Sequence, residues 1–214
     1  MSARRIFLIG AMLLIVLGAI GSVAGEKQDF LIWMTKWRQP VLDYFFYYAT
    51  QLGETPGFVV AGLFLWWGSW RKMVFVPFLG LMSTVITYVL KKSFGHERPA
   101  LLLDRIDWQG PLGVMDYQLL TGHSSFPSGH SMAAWALFAF VAAIVNRHWM
   151  TALCLFFAAA VSLSRVYLMA HFLQDVVAGA FFGTFLGYAS YRLHTLWMSS
   201  LESKVPGPPP AATL

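Results

Sequence analysis

The sequence has few charged residues and almost no cysteine. Only 12% of its 214 residues are Asp, Glu, Lys or Arg, whereas 57% are hydrophobic and the mean hydropathy is +0.60. Soluble globular domains carry about 25% charged residues, so this composition excludes an ordinary soluble domain. The single cysteine, Cys154, lies within an apolar run, which excludes a disulfide framework and indicates a packed thiol. The composition therefore indicates an integral membrane protein.

Long, mostly apolar windows are what the sequence does contain. A bilayer core about 30 Å thick needs about 20 apolar residues per helix. Windows of this kind predict an all-α bundle of six transmembrane helices, at residues 6–24, 55–70, 73–90, 131–146, 149–169 and 172–191. The first window, which follows Arg4 and Arg5, also fits a signal peptide, but its length favours an uncleaved anchor.

The basic residues indicate an orientation in the membrane. The net charge of +5 would suit a polyanion, yet two short connections, at residues 70–72 and 146–148, carry basic residues and no acids. Loops of this kind normally remain in the cytoplasm. We therefore expect both termini to be cytoplasmic, which in a bacterium would place the protein in the inner membrane, with the lipid bilayer rather than a nucleic acid as partner.

The predicted organisation is one membrane domain over residues 1–195, followed by a polar, disordered tail at 196–214. Between the first two windows, residues 26–54 are rich in aromatic side chains with scattered charges. This pattern is typical of helices that lie in the membrane interface, with a loop packed on the protein as the alternative. In the last window, Gly179, Gly183 and Gly187 are spaced for close helix contact, through either internal packing or dimerisation.

Three polar clusters accompany the apolar windows. The first reads KKSFGHERP at residues 91–99, the second reads PSGH at 127–130, and the third reads SRVYLMAHFLQD at 164–175. The third window ends on the side where the fourth begins, and the fifth and sixth windows form a hairpin. The predicted topology therefore brings all three clusters to one membrane face.

The residue types in these clusters suit the binding of an anion. Arginine offers several donors to phosphate oxygens, lysine offers a point charge, and a helix N-terminus adds free amide groups. Each cluster also has an ordinary explanation, since lysines snorkel at span ends, Ser-Gly-His can cap a helix, and Arg165 can pair with Asp175. Their coincidence at one face favours an anion site.

Two histidines and a carboxylate add reactive groups to this site. His171 and Asp175 are four residues apart, so on a helix they would share a face and the carboxylate could orient the imidazole. His130 follows directly on the Ser-Gly turn, where a second imidazole could protonate a departing oxygen. The pattern therefore predicts a nucleophile with its orienting carboxylate, together with a general acid.

The three clusters resemble, in their order along the chain, the three-part signature of the type 2 phosphatidic acid phosphatase superfamily. In this sequence the three parts read K-x6-RP, PSGH and SR-x5-H-x3-D. Every signature position matches, namely Lys91, Arg98, Pro99, Pro127, Ser128, Gly129, His130, Ser164, Arg165, His171 and Asp175. The resemblance implies that His171 forms a phosphohistidine, that Asp175 supports it, and that His130 protonates the leaving group and then activates water. It also implies that no metal or other cofactor is needed, and that five residues hold the phosphate: Lys91, Arg98, Ser128, Gly129 and Arg165.

The resemblance predicts a membrane lipid phosphatase whose site lies at the outer, periplasmic face. The substrate classes it suggests are undecaprenyl pyrophosphate, phosphatidylglycerol phosphate, phosphatidic acid and a lipid A phosphate. The alternatives are a phosphotransferase that uses the same site, and a non-catalytic binder or transporter of a phospholipid. Oligomeric state stays open, and three nearby residues, His96, Glu97 and His123, match no signature position.

Overall fold

The structure is a computed structural model that describes residues 1–110 and 120–203. Within these ranges the protein is helical and contains no strand, which confirms the predicted all-α class. In chain order the helices are α1 (Ala3–Val23), α2 (Asp29–Thr35), α3 (Pro40–Thr50), a 3-10 turn (Gln51–Gly53), α4 (Thr55–Gly68), α5 (Trp70–Met73), α6 (Phe75–Phe94), α7 (Pro99–Arg105), α8 (Gly129–Val145), α9 (His148–Tyr167) and α10 (Leu173–Glu202).

Six helices, α1, α4, α6, α8, α9 and α10, occupy the six predicted windows. By length and composition, three described segments could cross a membrane: Ala3–Val23, Trp70–Arg105 and His148–Tyr167. Helices α4 and α8 are apolar but shorter, so the number of spans stays a prediction. Large apolar side chains such as Leu17 and Trp67 are exposed, as expected for a surface that faces lipid. The protein is an integral membrane protein.

Helix α8 forms the centre of the bundle and packs most extensively against α10. A Cβ atom on Gly179 would lie 2.6 Å from the carbonyl oxygen of Ser128, and one on Gly183 would clash with the carbonyl oxygen of Met132. Gly187 makes the same kind of close approach to Ala136. The glycine spacing therefore serves internal packing of α10 on α8, which answers the choice that the sequence left open.

Buried hydroxyl groups join the three central helices. The Ser131 and Ser162 hydroxyl oxygens lie 2.7 Å apart, which links α8 to α9. Ser131 also donates to the carbonyl of Val176 in α10 at 2.8 Å, and the Trp135 indole donates to Ser162 at 2.8 Å. Such bonds hold membrane helices together where no hydrophobic driving force acts between them.

The region between α1 and α4 contains two helices, α2 and α3, which both lie near the C-terminal end of α9. Their predicted position in the membrane interface stays a prediction. Leu31 and Met34 of α2 belong to a buried cluster that includes residues 166–169 and Phe172. The Tyr167 hydroxyl donates to Asp43 of α3 at 2.5 Å, and Arg38 donates to the Tyr167 carbonyl at 2.5 Å. These contacts support the loop between α9 and α10 from outside.

The C-terminal boundary differs from the sequence prediction. Helix α10 continues to Glu202, so residues 196–202 are helical where the sequence suggested the start of a polar tail. The rest of that predicted tail, residues 204–214, lies outside the described residues, as does the 111–119 part of the predicted extramembrane loop. The 30 residues of α10 extend past the apolar window, because residues 192–202 include several apolar side chains and no proline or glycine that would end the helix.

Candidate active site

Helix ends converge at one end of the bundle, as the predicted topology requires. The C-terminal ends of α6 and α9 lie there together with the N-terminal ends of α8 and α10. A backbone hydrogen bond of 3.0 Å from the Ser128 amide to the Asp175 carbonyl joins the PSGH turn to α10. The three polar clusters of the sequence therefore meet in space.

The imidazole of His171 lies beside the carboxylate of Asp175. Its Nδ1 atom is 3.5 Å from Asp175 Oδ2, and both side chains are almost fully buried, at 3% and 0% exposed. The four-residue spacing suggested that the two residues share a helix face, but they do not. Helix α9 ends at Tyr167, His171 lies in the following turn with its amide bonded to the Arg165 carbonyl, and α10 begins only at Leu173.

The Asp175 carboxylate is held in the first turn of α10. Its Oδ2 atom accepts the backbone amide of Phe172, the N-cap residue, at 3.0 Å, and the hydroxyl of Ser125 at 2.5 Å. An acidic side chain at this position satisfies a free amide and interacts favourably with the positive end of the helix dipole. The other oxygen, Oδ1, has no hydrogen-bond partner among the described residues.

His171 lies between α9 and α10, and its environment keeps the ring neutral. Burial is the main cause that lowers the pKa of His171, to about 4, and it outweighs the opposing effect of Asp175. The positive charges of Arg165 and Arg98 lower this pKa further. At neutral pH the imidazole therefore retains a lone pair on one nitrogen, which a nucleophile requires.

The PSGH turn forms the N-terminus of α8. Ser128 is its N-cap residue, Gly129 is the first helical residue, and the Phe126–Pro127 peptide bond before them is cis. A Cβ atom on Gly129 would come within 3.3 Å of Thr87 on α6, so glycine suits the close approach. The first amides of a helix can bind an anion, which is the role predicted for Ser128 and Gly129.

His130, the second residue of α8, has a partner that the sequence did not suggest. Its Nε2 atom is hydrogen-bonded to the carboxylate of Glu54, which is the N-cap residue of α4. Both side chains are partly exposed, so the pair lies at the rim of the site. Glu54 thus orients the imidazole for which a general-acid role is predicted.

The three predicted cations approach the site from different elements. Arg165, in the last turn of α9, donates to the Thr50 hydroxyl at 2.8 Å and is buried. Arg98, the N-cap residue of α7, donates to the Ala170 carbonyl at 3.1 Å. Lys91, near the end of α6, lines a pocket of about 330 Å³ together with Gly129 and His130.

An apolar groove leads away from this pocket between α4 and α6. Its volume is about 770 Å³, and its walls include Phe58, Val59, Leu63 and Val76. Four residues line both the groove and the pocket beside Lys91: Gly53, Ser83, Thr84 and Ala133. The arrangement can hold a polar group near Lys91 and His130 while an apolar chain lies in the groove.

The three unassigned polar residues lie beside the site. Glu97 forms a salt bridge of 2.5 Å with Arg105, and His123 is exposed. The ring of His96 packs against Phe94 and Phe126, and its carbonyl accepts the Ser125 amide at 3.0 Å. Across residues 1–110 and 120–203, no group of three or more His, Cys, Asp or Glu could hold a metal ion.

Sequence reasoning missed three residues that contact the predicted site, namely Ser125, Glu54 and Thr50. Ser125 precedes the PSGH turn by two residues, but nothing in the sequence distinguishes it from Ser124. Glu54 and Thr50 come from the segment before α4, far from the signature in sequence. The packing of α4 against α8 brings Glu54 to His130, and the packing of α3 against α9 brings Thr50 to Arg165.

The fold and the site together define a helical membrane protein with a buried histidine and carboxylate beside the N-terminus of a helix. The chain belongs to the PAP2 superfamily, whose profile matches residues 71–199, more than half of its length. This match includes all three signature clusters and confirms the family that the sequence resembled.

Curated relatives cover part of the chain. It is 33% identical over 111 residues to a lipid A 1-phosphatase of Rhizobium johnstonii, a match of 50% of this chain and 41% of that protein. It is 31% identical over 87 residues to a lipid A 4'-phosphatase of Bacteroides thetaiotaomicron, a match of 41% of this chain and 39% of that protein. The chain thus spans less than half the length of these relatives.

Two crystal structures resemble the fold more completely. The crystal structure of Aquifex aeolicus LpxE superposes on this protein with a TM-score of 0.63 at 26% sequence identity. The match covers 78% of this chain and 94% of the LpxE chain. A transmembrane PAP2 type phosphatidylglycerolphosphate phosphatase from Bacillus subtilis gives a TM-score of 0.56 at 21% identity, over 92% and 96%. At 21% identity, the similarity to the Bacillus subtilis structure shows a shared fold and nothing more.

Proposed function

We propose that this protein is a membrane lipid phosphatase that removes a phosphate group from a lipid through a phosphohistidine intermediate. One observation carries the proposal: the element that carries the buried pair of His171 and Asp175 is bonded to the α8 N-terminus, whose Gly129 and His130 line a pocket that continues into an apolar groove. Membership of the PAP2 superfamily supports it.

In the proposed first step, Nε2 of His171 attacks phosphorus and the bond to the lipid oxygen breaks. His130 protonates that oxygen, so the lipid leaves as a neutral alcohol, or as a monophosphate if the substrate is a pyrophosphate. In the second step His130 removes a proton from water, whose oxygen attacks phosphorus, and the bond to His171 breaks. Inorganic phosphate is released and both histidines return to their starting states.

Charge stabilisation falls to the groups around the phosphate. Phosphoryl transfer spreads negative charge over three equatorial oxygens, and preorganised donors at those positions lower the barrier. We assign this role to the side chains of Lys91, Arg98 and Arg165 and to the α8 N-terminus at Ser128 and Gly129. Thr50 and the Ala170 carbonyl hold the two guanidinium groups in place.

A lipid A phosphate is the substrate that we place first, because both named bacterial relatives act on lipid A. Phosphatidylglycerol phosphate, phosphatidic acid and undecaprenyl pyrophosphate are the alternatives. In each case the apolar groove between α4 and α6 would take a hydrocarbon chain while the phosphate reaches His171. We also propose that helices α1 to α10 form the catalytic domain in a bacterial inner membrane, with both termini cytoplasmic and the site periplasmic.

The test is phosphate release by purified full-length protein in detergent with excess EDTA. Lipid A, phosphatidylglycerol phosphate, phosphatidic acid and undecaprenyl pyrophosphate are assayed in parallel, and we expect release to persist in EDTA and to be fastest with lipid A. Release from none of the four, with retained binding of a lipid phosphate, would favour the non-catalytic binder. Phosphate transfer to an added acceptor lipid, in place of release, would favour the phosphotransferase.

Removal of the predicted general acid should affect substrates unequally. We expect His130→Ala to lower the rate about 100-fold or more with an alkyl phosphate, since a general acid contributes roughly 10²- to 10⁴-fold. With p-nitrophenyl phosphate the loss should stay below about tenfold, because that leaving group needs little protonation. Initial rates on both substrates measure the difference, and equal losses would contradict the general-acid role.

A further inference from the structure

Ser125 lies beside the predicted nucleophile, and neither the signature nor the predicted chemistry uses it. Its side chain is fully buried, and its hydroxyl contacts both members of the histidine and carboxylate pair. The Oγ atom is 2.5 Å from Asp175 Oδ2 and 3.3 Å from His171 Nδ1. The direct distance between Nδ1 and Oδ2 is longer, at 3.5 Å. Each of the two contacts made by the serine hydroxyl is therefore shorter than the direct contact between the imidazole and the carboxylate.

The hydroxyl has only one proton, and its geometry decides where that proton lies. A carboxylate accepts and does not donate, so the short contact to Asp175 uses the serine proton in a charge-assisted bond. The serine oxygen can then only accept from the imidazole, which requires the proton of neutral His171 to be on Nδ1. This tautomer leaves the lone pair on Nε2, the nitrogen that the proposed function uses as nucleophile.

We propose that Ser125 is a positioning residue, which accepts from Nδ1 of His171 and donates to Asp175 and so holds the imidazole in the reactive tautomer. The role of Nε2 rests on the proposed function, but the assignment of the proton does not. The imidazole of His171, the hydroxyl of Ser125 and the carboxylate of Asp175 then form a chain of hydrogen bonds, with the hydroxyl in the middle. A wrong tautomer of a catalytic histidine costs about 10⁴-fold in serine proteases, so its control has a large effect.

The backbone around Ser125 is fixed from both sides, as a positioning role requires. Its amide donates to the His96 carbonyl at 3.0 Å, and the Arg98 amide donates to the Gly122 carbonyl at 2.9 Å. On the other side, the Ser128 amide is bonded to Asp175 at 3.0 Å. The segment that carries Ser125 is therefore bonded to α10, the helix that carries the Asp175 carboxylate.

The neighbouring serine supplies a matched control. The Ser124 side chain is exposed, so Ser124→Ala makes the same chemical change one residue away from the pair. We expect Ser125→Ala to lower kcat roughly 10- to 100-fold, in line with small losses of alignment at a reacting centre. KM should stay within about threefold, since the Ser125 hydroxyl is bonded to His171 and Asp175 and not assigned to phosphate binding, and Ser124→Ala should stay within about twofold in both constants. A loss below about twofold in kcat for Ser125→Ala would overturn the proposal.

A second measurement is independent of any substrate. In protein labelled with ¹⁵N-histidine, the ring-nitrogen chemical shifts of His171 at pH 7, assigned by their loss in His171→Gln, report which nitrogen carries the proton. We expect Nδ1–H in the wild type and a mixture of tautomers in Ser125→Ala. A wild-type ring protonated on Nε2 would overturn the proposal even if Ser125→Ala failed to fold. If no lipid were hydrolysed, the proposed function would fail while this measurement still decided the role of Ser125.

Discussion

His171→Ala is expected to abolish phosphate release, with a fall of at least about 10³-fold on the best lipid substrate. In covalent catalysis, removal of the nucleophile removes the whole route, and losses near 10⁶-fold are measured for comparable residues. The variant should still fold, because the imidazole contacts the side chains of Ser125 and Asp175 and the α9–α10 connection is held by backbone hydrogen bonds. Initial rates of phosphate release measure the effect.

The matched control is His148→Ala, which removes another histidine at the opposite end of the bundle. His148 is exposed at the start of α9, so its loss should change the rate by less than about twofold. Retained lipid binding by His171→Ala, together with lost release, would separate an enzyme from a binder. An acid-labile, alkali-stable phosphoprotein that forms in the wild type and not in His171→Ala would support the phosphohistidine. Full activity in His171→Ala would show that the nucleophile is assigned wrongly.

Gly183→Leu is expected to prevent α10 from packing on α8. A Cβ atom at this position would clash with the Met132 carbonyl oxygen and lie 2.9 Å from Trp135 Cβ. The first contact is with backbone, so neither neighbour can rotate away and the helices must separate. Overpacking of a rigid core typically costs about 1–3 kcal/mol, and separation here also strains the bond between Ser128 and Asp175. We expect a fall in Tm of more than about 5 °C, together with loss of activity.

The control is Gly62→Ala in α4, where the nearest atoms to a new Cβ are 3.8 Å and 4.0 Å away. Alanine favours a helix over glycine by about 1 kcal/mol, so this variant should keep or raise Tm. Thermal unfolding in detergent, followed by tryptophan fluorescence, measures both variants. If Gly183→Leu kept the wild-type Tm and changed only the oligomeric state, the glycine stripe would serve a dimer instead.

Much of the site was predictable because the membrane restricts the possible folds. Apolar windows define the helices, and antiparallel connection of successive helices determines which ends lie together. The residues of the three clusters therefore meet at one end, and the PAP2 superfamily match covers the same stretch. The chemical types in the signature did not depend on side-chain geometry, since few residue types can bind an anion or act as nucleophile.

The contacts within the site were not predictable in the same way. A four-residue spacing suggested that His171 and Asp175 share a helix face, but α10 begins after His171. The start of α10 depends on Phe172 as N-cap and on Asp175 reaching back to its amide. Local sequence pattern does not determine such a boundary, because the same residues could continue a helix from α9.

Sequence alone determined the helical class, the predicted face where the clusters meet and the identity of the reactive groups, since these follow from hydropathy, connection order and residue chemistry. The tertiary structure decided which side chains contact one another in the site. It selected Ser125 over Ser124, brought Glu54 to His130, and assigned the Gly183 stripe to internal packing. The physical reason is that these contacts join segments distant in sequence, where a shift of one residue or a few ångströms changes the partner.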